Sequence, residues 1–242
     1  MKRFGIIGHP VAGSLSPSLF AAAYKGRYPY HLIDEEGFEE AWRRFLEDYD
    51  GVNVTAPFKQ DAYARVDIPS GTARRCHAVN LVVKTPAGVA GYNTDVDGIL
   101  QAVRPENPSE VLVVGAGGAA RAAVAAAQEL GCSVTVAGRT EAKVSALCRE
   151  MGCQGTDLKG MAGVKPDLVI YTLPGNAPVP EGLPLRYAVV LEAEYKRPRL
   201  ASLPCRKYLP GKLWLVHQAL AGYQLFTAET PDAAAIWKTI NT

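Results

Sequence analysis

The sequence predicts an α/β chain of two domains, and three observations carry that prediction. Val111 to Gly131 runs from four apolar, mostly β-branched residues through Gly115-Ala116-Gly117-Gly118-Ala119-Ala120 into an alanine-rich helical stretch. That is the order of a buried strand, a tight turn and a helix start, the first half of a dinucleotide-binding βαβ unit. A second strand, Cys132 to Ala137, follows at once, and strand-like segments alternate with helical ones on either side of this unit. Ahead of it, Pro105 to Pro108 reads as a linker. The expected layout is a first α/β domain over residues 1–100, a Rossmann domain over 101–217, and a helical tail, 218–242, that packs back on the first domain.

The glycine turn has a chemical reading position by position. Gly115 permits the turn, Gly117 lets the backbone approach a pyrophosphate, and Ala120 takes the third small position, where the helix packs closely on the strand. Around Ala116, Gly118 and Ala119 the helix N-terminus offers free N–H groups and a partial positive charge to phosphates. An NAD site wants Asp or Glu after the second strand to hold the ribose 2′-hydroxyl. This chain has Gly138-Arg139-Thr140 there, with Lys143 one turn on. Arginine in place of the acid suits a 2′-phosphate and favours NADP(H). The other reading is a solvated Arg and Lys at a helix start.

Composition narrows the classes. A chain of 242 residues holds one large domain or two modest ones with real cores. With 26 basic and 24 acidic residues, no basic field points to nucleic acid and no acidic run to disorder. No apolar run reaches the length of a membrane span, and the N-terminus enters a strand at once, which leaves no room for a signal peptide. Five cysteines without a C-x-x-C pair read as free thiols of a reducing cytoplasm. The four histidines are scattered, none at metal-ligand spacing, so no metal is expected.

The opening strand, Lys2 to Gly8, leads into His9-Pro10-Val11-Ala12-Gly13-Ser14-Leu15-Ser16-Pro17, and Ser18 to Tyr24 follows as a helix. Two readings stand for the serines. Ser16 caps the helix with Pro17 in its first turn, or Ser14 and Ser16 cradle a small anion at the strand-to-helix junction. His9 is open in the same way between a structural hydrogen bond and a ligand contact. Tyr28 to Ile33 is a strand, and Phe38 to Leu46 an amphipathic helix with Trp42 and Phe45 on its apolar side. Gly51 to Lys59 reads as a short strand broken by Pro57, with polar Asn53 and Thr55 alternating with Val52 and Val54. Ligands of open α/β sheets gather at the carboxyl ends of strands, where Lys59 stands; taken alone, it is a surface lysine.

Cys76 to Val83 is the next strand, Pro86-Ala87-Gly88 a turn, and Gly91 to Gly98 a polar loop of site-like composition before a helix from Ile99 to Val103. In the second domain a helix spans Glu141 to Met151, and strands at Asp167–Tyr171 and Tyr187–Glu192 flank a Pro/Gly loop from Pro174 to Pro184. The tail is helical from Leu213 to Phe226 and again from Asp232 to Ile240, with Thr230 as cap and Pro231 in the first turn.

These pieces, in this order, resemble the shikimate dehydrogenase family across nearly the whole chain. The likeness rests on Gly8-x-Pro10-Val11-x-x-Ser14-x-Ser16-Pro17, Asn53-Val54-Thr55-x-Pro57-x-Lys59 and Ala78-Val79-Asn80. It continues with Gly91-x-Asn93-Thr94-Asp95-x-x-Gly98, the Gly115 turn, Arg139-Thr140 and Gln218. Each motif is weak alone; the ordered set is specific. The resemblance implies an N-terminal α/β domain that holds shikimate and a Rossmann domain that holds NADP in the cleft between them. It implies reversible, NADPH-dependent reduction of 3-dehydroshikimate to shikimate in chorismate and aromatic amino-acid biosynthesis. The enzyme would be a cytoplasmic monomer or homodimer with no nucleic-acid or membrane partner.

Carried over by position, the resemblance has Ser14 and Ser16 bind the ring carboxylate, and Thr55, Asn80 and Gln218 hydrogen-bond ring hydroxyls or orient the ring. Lys59 and Asp95 would be the catalytic pair, and the glycine turn, Arg139, Thr140 and Lys143 would hold NADP(H). Hydride transfer to a ketone leaves negative charge on oxygen, which must be stabilised and then protonated. A lysine ammonium can do both, with a carboxylate nearby to fix its position and relay the proton.

The chain departs from the family pattern at Gly13, usually His, at Leu81, usually Thr, and at Gly138, usually Asn. Tyr171-Thr172-Leu173-Pro174 replaces the usual Asn-Ala-Thr-Pro, Glu192 replaces Asp, the spacing around Tyr195 and Pro198 is altered, and the first domain is shortened between Lys59 and Asn80. The substrate constellation is almost whole, so a divergent but active enzyme is expected. Three rivals remain. A relative acting on quinate or another hydroxylated ring acid with NAD has Arg139 against it, and a non-catalytic shikimate-binding regulator has the intact Lys59 and Asp95 against it. A folate dehydrogenase of similar layout would lack the paired serines and the Asn53–Lys59 motif.

Overall fold

The computed structural model describes residues 1–241. The chain divides into two compact units, Met1–Thr94 joined by the segment from Gln218 onward, and Asp95–His217. The break falls between Thr94 and Asp95 rather than at 100/101, because the helix expected from Ile99 already starts at Asp95. Thr242, the last residue of the expected tail, lies outside the described residues. No helix among the described residues is long and apolar enough to cross a membrane.

In the first unit the order is β1 (Phe4–Gly8), α1 (Ser16–Tyr24), β2 (Tyr30–Asp34), α2 (Phe38–Asp48), β3 (Gly51–Val54), α3 (Lys59–Arg65), β4 (Ile68–Pro69), α4 (Gly71–Cys76), β5 (Leu81–Thr85) and β6 (Gly88–Tyr92). The strands form one mixed sheet, β2-β1-β3-β5-β6-β4. β1 lies parallel to β2 and β3, whereas β5 runs antiparallel to both β3 and β6. One sheet edge therefore collects the segments that leave β1, β3 and β6 and the one that enters β5. Beneath it, Ala41, Trp42 and Phe45 of α2 bury their stripe against Ile7, Ile33, Val52 and Val54.

Residues 71–76 correct the expected strand from Cys76. Ser70 Oγ accepts the Ala73 N–H at 3.2 Å and caps α4, so Cys76 is helical and the strand begins only at Leu81.

The second unit runs α5 (Asp95–Val103), β7 (Glu110–Val114), α6 (Gly118–Glu129), β8 (Ser133–Ala137), α7 (Glu141–Met151), β9 (Gln154–Thr156), β10 (Leu168–Tyr171), β11 (Val189–Glu192) and β12 (Lys207–Leu209). All pairings in its sheet are parallel, in the order β12-β11-β10-β7-β8-β9. The first strand sits centrally, with later strands wound outward on both sides; this is the Rossmann arrangement, with its switch point between β7 and β10. Both strands are buried, β10 along its whole length and β7 from Val111 on, which explains their continuous apolar runs.

α8 (Gly211–Thr227) and α9 (Ala233–Asn241) end the chain. The tail returns to the first unit: Tyr223 meets Phe20 edge-on with ring centroids 4.8 Å apart, and Phe226 stacks on Phe4 at 5.0 Å. Each such pair adds about 0.5–1.5 kcal/mol beyond its buried area. The expected Thr230 cap is corrected, since Asp232 Oδ1 accepts the Ala235 N–H at 3.0 Å and caps α9 instead.

Burial raises the phenol pKa of Tyr24, Tyr49 and Tyr171, and also that of Tyr208, which donates to the Glu192 carboxylate. A phenol raised above its unfolded value of about 10 contributes stability that is whole below that value and is lost as pH climbs through it. The melting temperature is therefore expected to fall above about pH 10, and Tyr208→Phe to blunt the fall. A melting temperature that stays flat across this range would show that the phenols ionise as freely in the fold as outside it.

Candidate active site

Sequence and register together place the predicted substrate residues at one edge of the first sheet. β1 and β3 deliver the loops carrying Ser14/Ser16 and Thr55/Lys59, tied to each other by Thr55 N–H to Ile7 O at 2.9 Å and His9 N–H to Ala56 O at 3.1 Å. Asn80 enters β5 beside them, its carbonyl accepting Val54 N–H at 2.8 Å and its own N–H reaching Tyr92 O at 2.9 Å. The first loop is also anchored through Asp34, whose carboxylate contacts His9 Nδ1 at 2.8 Å and accepts Val11 N–H at 3.3 Å. The His9 contact is the main reason the Asp34 carboxyl titrates below its ordinary range. His9 is thus a structural hydrogen-bonder.

Of the two readings of the serines, capping is corrected. Ser16 is the first residue of α1, and Leu15 takes the cap position without a side-chain cap bond. Ser16 N–H donates to Ser14 Oγ at 3.3 Å, and the Ser14 hydroxyl donates to Ser16 Oγ at 3.2 Å. The two hydroxyls lie side by side at a helix N-terminus, with a terminal N–H between them and Ser16 buried. Such an arrangement suits a carboxylate.

Asn80 and Gln218 come together with Thr94, named above only within the Gly91–Gly98 motif. Thr94 N–H donates to Asn80 Oδ1 at 2.8 Å, Asn80 Nδ2 donates to Thr94 Oγ1 at 3.0 Å, and Gln218 Oε1 lies 3.4 Å from both Asn80 Nδ2 and Thr94 Oγ1. All three are nearly fully buried, so the Thr94 N–H fixes which way the Asn80 amide faces. Behind them Tyr30 donates to Asn53 Oδ1 at 2.7 Å, and Asn53 Nδ2 reaches Asn80 O at 3.3 Å. A polar Asn53 inside a buried four-residue strand is the available signal for this network.

Lys59, partly buried, is the first residue of α3. A cation there faces the positive end of the helix dipole, an unfavourable place that an approaching oxyanion would relieve. Asp95 directly follows Thr94 in the chain and opens α5 and the second unit. It is buried, and the Trp214 indole Nε1–H donates to its Oδ1 at 3.0 Å. Sequence reasoning misses Trp214; its spacing of four from Gln218 in α8 is the clue.

In the second unit the glycine turn joins β7 to α6 as expected. Gly115 has φ +127°, and a Cβ there would stand 2.2 Å from Thr172 Oγ1, so the fold itself requires glycine. Gly117 differs: it is the N-cap of α6 at φ −99°, no side chain caps the helix, and a Cβ would meet nothing within 4 Å. Neither backbone nor packing demands glycine at that point, and the open space beside the N-terminus of α6 leaves room for an anion there. Ala116 completes the turn, and Gly118 and Ala119 are the first two residues of α6. Gly138 replaces the family's asparagine where a Cβ would come 2.8 Å from Val144 Cγ2.

Arg139, Thr140 and Lys143 are exposed at the junction of β8 and α7. Thr140 is the N-cap of α7 without a side-chain cap bond, and among the described residues nothing pairs with the Arg139 or Lys143 side chain. Two cations and a hydroxyl around a helix start fit a 2′-phosphate. At the far end of the sheet Glu192 is fully buried, accepting Arg199 N–H at 2.7 Å, Leu200 N–H at 3.1 Å and Tyr208 OH at 2.8 Å. The longer side chain in place of aspartate is therefore fully satisfied.

A family model described as the shikimate dehydrogenase substrate binding domain matches residues 6–82. A shikimate dehydrogenase (NADP(+)) of Thermus thermophilus is 33% identical over 98% of this chain and 96% of its own length. The crystal structure of a Thermus thermophilus shikimate 5-dehydrogenase, in complex with NADP(H) and shikimate, superposes with a TM-score of 0.84 at 30% identity, covering 100% of this chain and 99% of that one. Quinate dehydrogenase from Corynebacterium glutamicum in complex with NAD superposes at 0.82 with 25% identity, over 99% and 98%. With full-length likeness in both sequence and fold, this chain belongs to the shikimate dehydrogenase family.

Proposed function

We propose that this protein is an NADP-dependent shikimate dehydrogenase that reversibly reduces 3-dehydroshikimate to shikimate. The observation that carries the reading is the single sheet edge where hydroxyls for a carboxylate, buried amides for hydroxyls and a lysine for an oxyanion are delivered by four chain segments. Ser14 and Ser16 hold the ring carboxylate through their hydroxyls and the helix N-terminus. Asn80, Gln218 and Thr55 orient the ring by its hydroxyls. The segment from Gly115 to Ala119, with Arg139, Thr140 and Lys143, would hold NADPH, which would supply the hydride. Lys59 Nζ stabilises the charge that grows on the carbonyl oxygen and delivers a proton to it. Asp95, whose carboxylate accepts the Trp214 indole N–H, is the second proposed catalytic residue and takes a proton on in the reverse direction.

Initial rates of shikimate oxidation with NADP and with NAD, repeated with quinate, test this reading. Turnover with shikimate and NADP supports it. Turnover confined to quinate or NAD would move the protein to the activity named for its Corynebacterium neighbour, and no turnover, with shikimate still raising the melting temperature, would leave a binding protein. Arg139→Ala is expected to raise KM for NADP about tenfold or more, the loss of a charge-assisted contact, and to leave KM for NAD unchanged. An equal change for both cofactors would remove the 2′-phosphate from Arg139.

A further inference from the structure

The second half of the Rossmann sheet carries a clamp that the reading above does not use. The loop leaving β10 is fixed at its near end, where Thr172 Oγ1 and Thr172 N–H both donate to Val114 O at 2.9 Å, beside the glycine turn. Farther along, Gly175 is held on both sides of its peptide backbone by the loop that leaves β11. Its N–H donates to Glu194 Oε2 at 3.1 Å, and its carbonyl accepts Arg199 Nη1 at 3.0 Å. Arg199 Nη1 also reaches Ala177 O at 3.4 Å. The other carboxylate oxygen, Glu194 Oε1, accepts Lys196 N–H at 2.7 Å and Arg197 N–H at 3.3 Å, so one side chain pins both loops. The backbone N–H of Arg199 is itself held by the buried Glu192. There is no slack at the contact: a Cβ on Gly175 would stand 2.9 Å from Glu194 Oε2.

A doubly wound sheet binds its dinucleotide as two mononucleotide halves, each at the carboxyl ends of its own strands. The glycine turn and Arg139 lie on β7 and β8, the adenosine half. β10 and β11 belong to the other half, and the clamped loops leave their carboxyl ends. We propose that Glu194 and Arg199 are positioning residues for the nicotinamide half of the cofactor, acting by holding the Gly175 peptide in place at the carboxyl ends of β10 and β11. The inference rests on the NADP reading. Neither side chain needs to touch the ring; they fix a backbone that would otherwise be a mobile Pro/Gly loop, and a preorganised loop costs less to order on binding.

Fluorescence titration with NADPH, and competition by adenosine 2′,5′-bisphosphate, which lacks the nicotinamide half, read this out without turnover. Glu194→Ala and Arg199→Ala are each expected to raise Kd for NADPH roughly five- to twentyfold while leaving that of the bisphosphate within about twofold. Arg199→Lys, which keeps one donor and the charge, should recover part of the loss. Arg199 is exposed, so its variants test the proposal even if Glu194→Ala fails to fold. NADPH affinity unchanged in both variants overturns the inference, as does an equal loss for NADPH and the bisphosphate, which would mean a general defect of the unit. Wild-type protein that binds neither ligand overturns the NADP reading and this inference with it.

Discussion

Lys59→Ala is expected to lower kcat for shikimate oxidation roughly 10²–10⁴-fold, the range for loss of a positioned general acid or base. The fold should survive. Lys59 is only partly buried, and alanine keeps the bond its carbonyl accepts from Val79 N–H at 2.8 Å and suits the first turn of a helix. Removing a cation from the positive end of α3 takes away an unfavourable dipole interaction, so the melting temperature should change little. KM for shikimate should change far less than kcat, because the proposed reading gives the carboxylate and hydroxyl contacts to Ser14, Ser16, Asn80 and Gln218. An interaction made mainly in the transition state lowers kcat and kcat/KM together. Unchanged turnover would remove Lys59 from proton transfer; a rise in KM alone would make it a binding residue. Asp95→Asn should reduce kcat as well, and the double variant should lose less than the product of the two single losses, the result expected of the proposed catalytic pair.

The Rossmann half is legible in the sequence because its central strands, β7, β10 and β11, are buried and its helices begin at recognisable turns. α7 stands at Glu141–Met151, where the sequence predicts it. β9 and β12 escape prediction because each is three residues long, too short for any periodicity to register. α4 reads as part of a strand, since six residues beginning with glycine carry no apolar stripe and their start depends on a single Ser70 hydroxyl. The onset of α5 is hidden by Gly98 and by the two aspartates of its first turn, which resemble a loop until the helix dipole is considered. The serine pair misleads for a smaller reason. Pro17 suggests a helix that starts after Ser16, whereas the helix begins one residue earlier, at Ser16 itself. The Thr94, Tyr30 and Trp214 contacts join residues far apart in sequence, and only the register of β3, β5 and β6 and the return of α8 bring them to their partners.

Gly115→Ala and Gly117→Ala, two residues apart in one turn, should fail in opposite ways. At Gly115 the new methyl group would need φ near +127° and would stand 2.2 Å from Thr172 Oγ1, a hydroxyl already committed to Val114 O at 2.9 Å. Relief requires breaking that bond or moving β10 against β7, at a cost of about 2–4 kcal/mol. For a chain of this size that is a fall in melting temperature of roughly 5–15 °C. At Gly117 the backbone sits at φ −99°, ψ −170°, which any residue adopts, and the methyl meets nothing within 4 Å. Its melting temperature should therefore match the wild type. NADPH binding should nevertheless weaken about tenfold or more, because the methyl stands where a pyrophosphate must approach the N–H groups of α6. Melting curves and NADPH titration of the two variants separate the roles. A Gly117→Ala protein that binds NADPH as the wild type does would place the pyrophosphate elsewhere, and an equally stable Gly115→Ala protein would mean that the Thr172 contact yields at no cost.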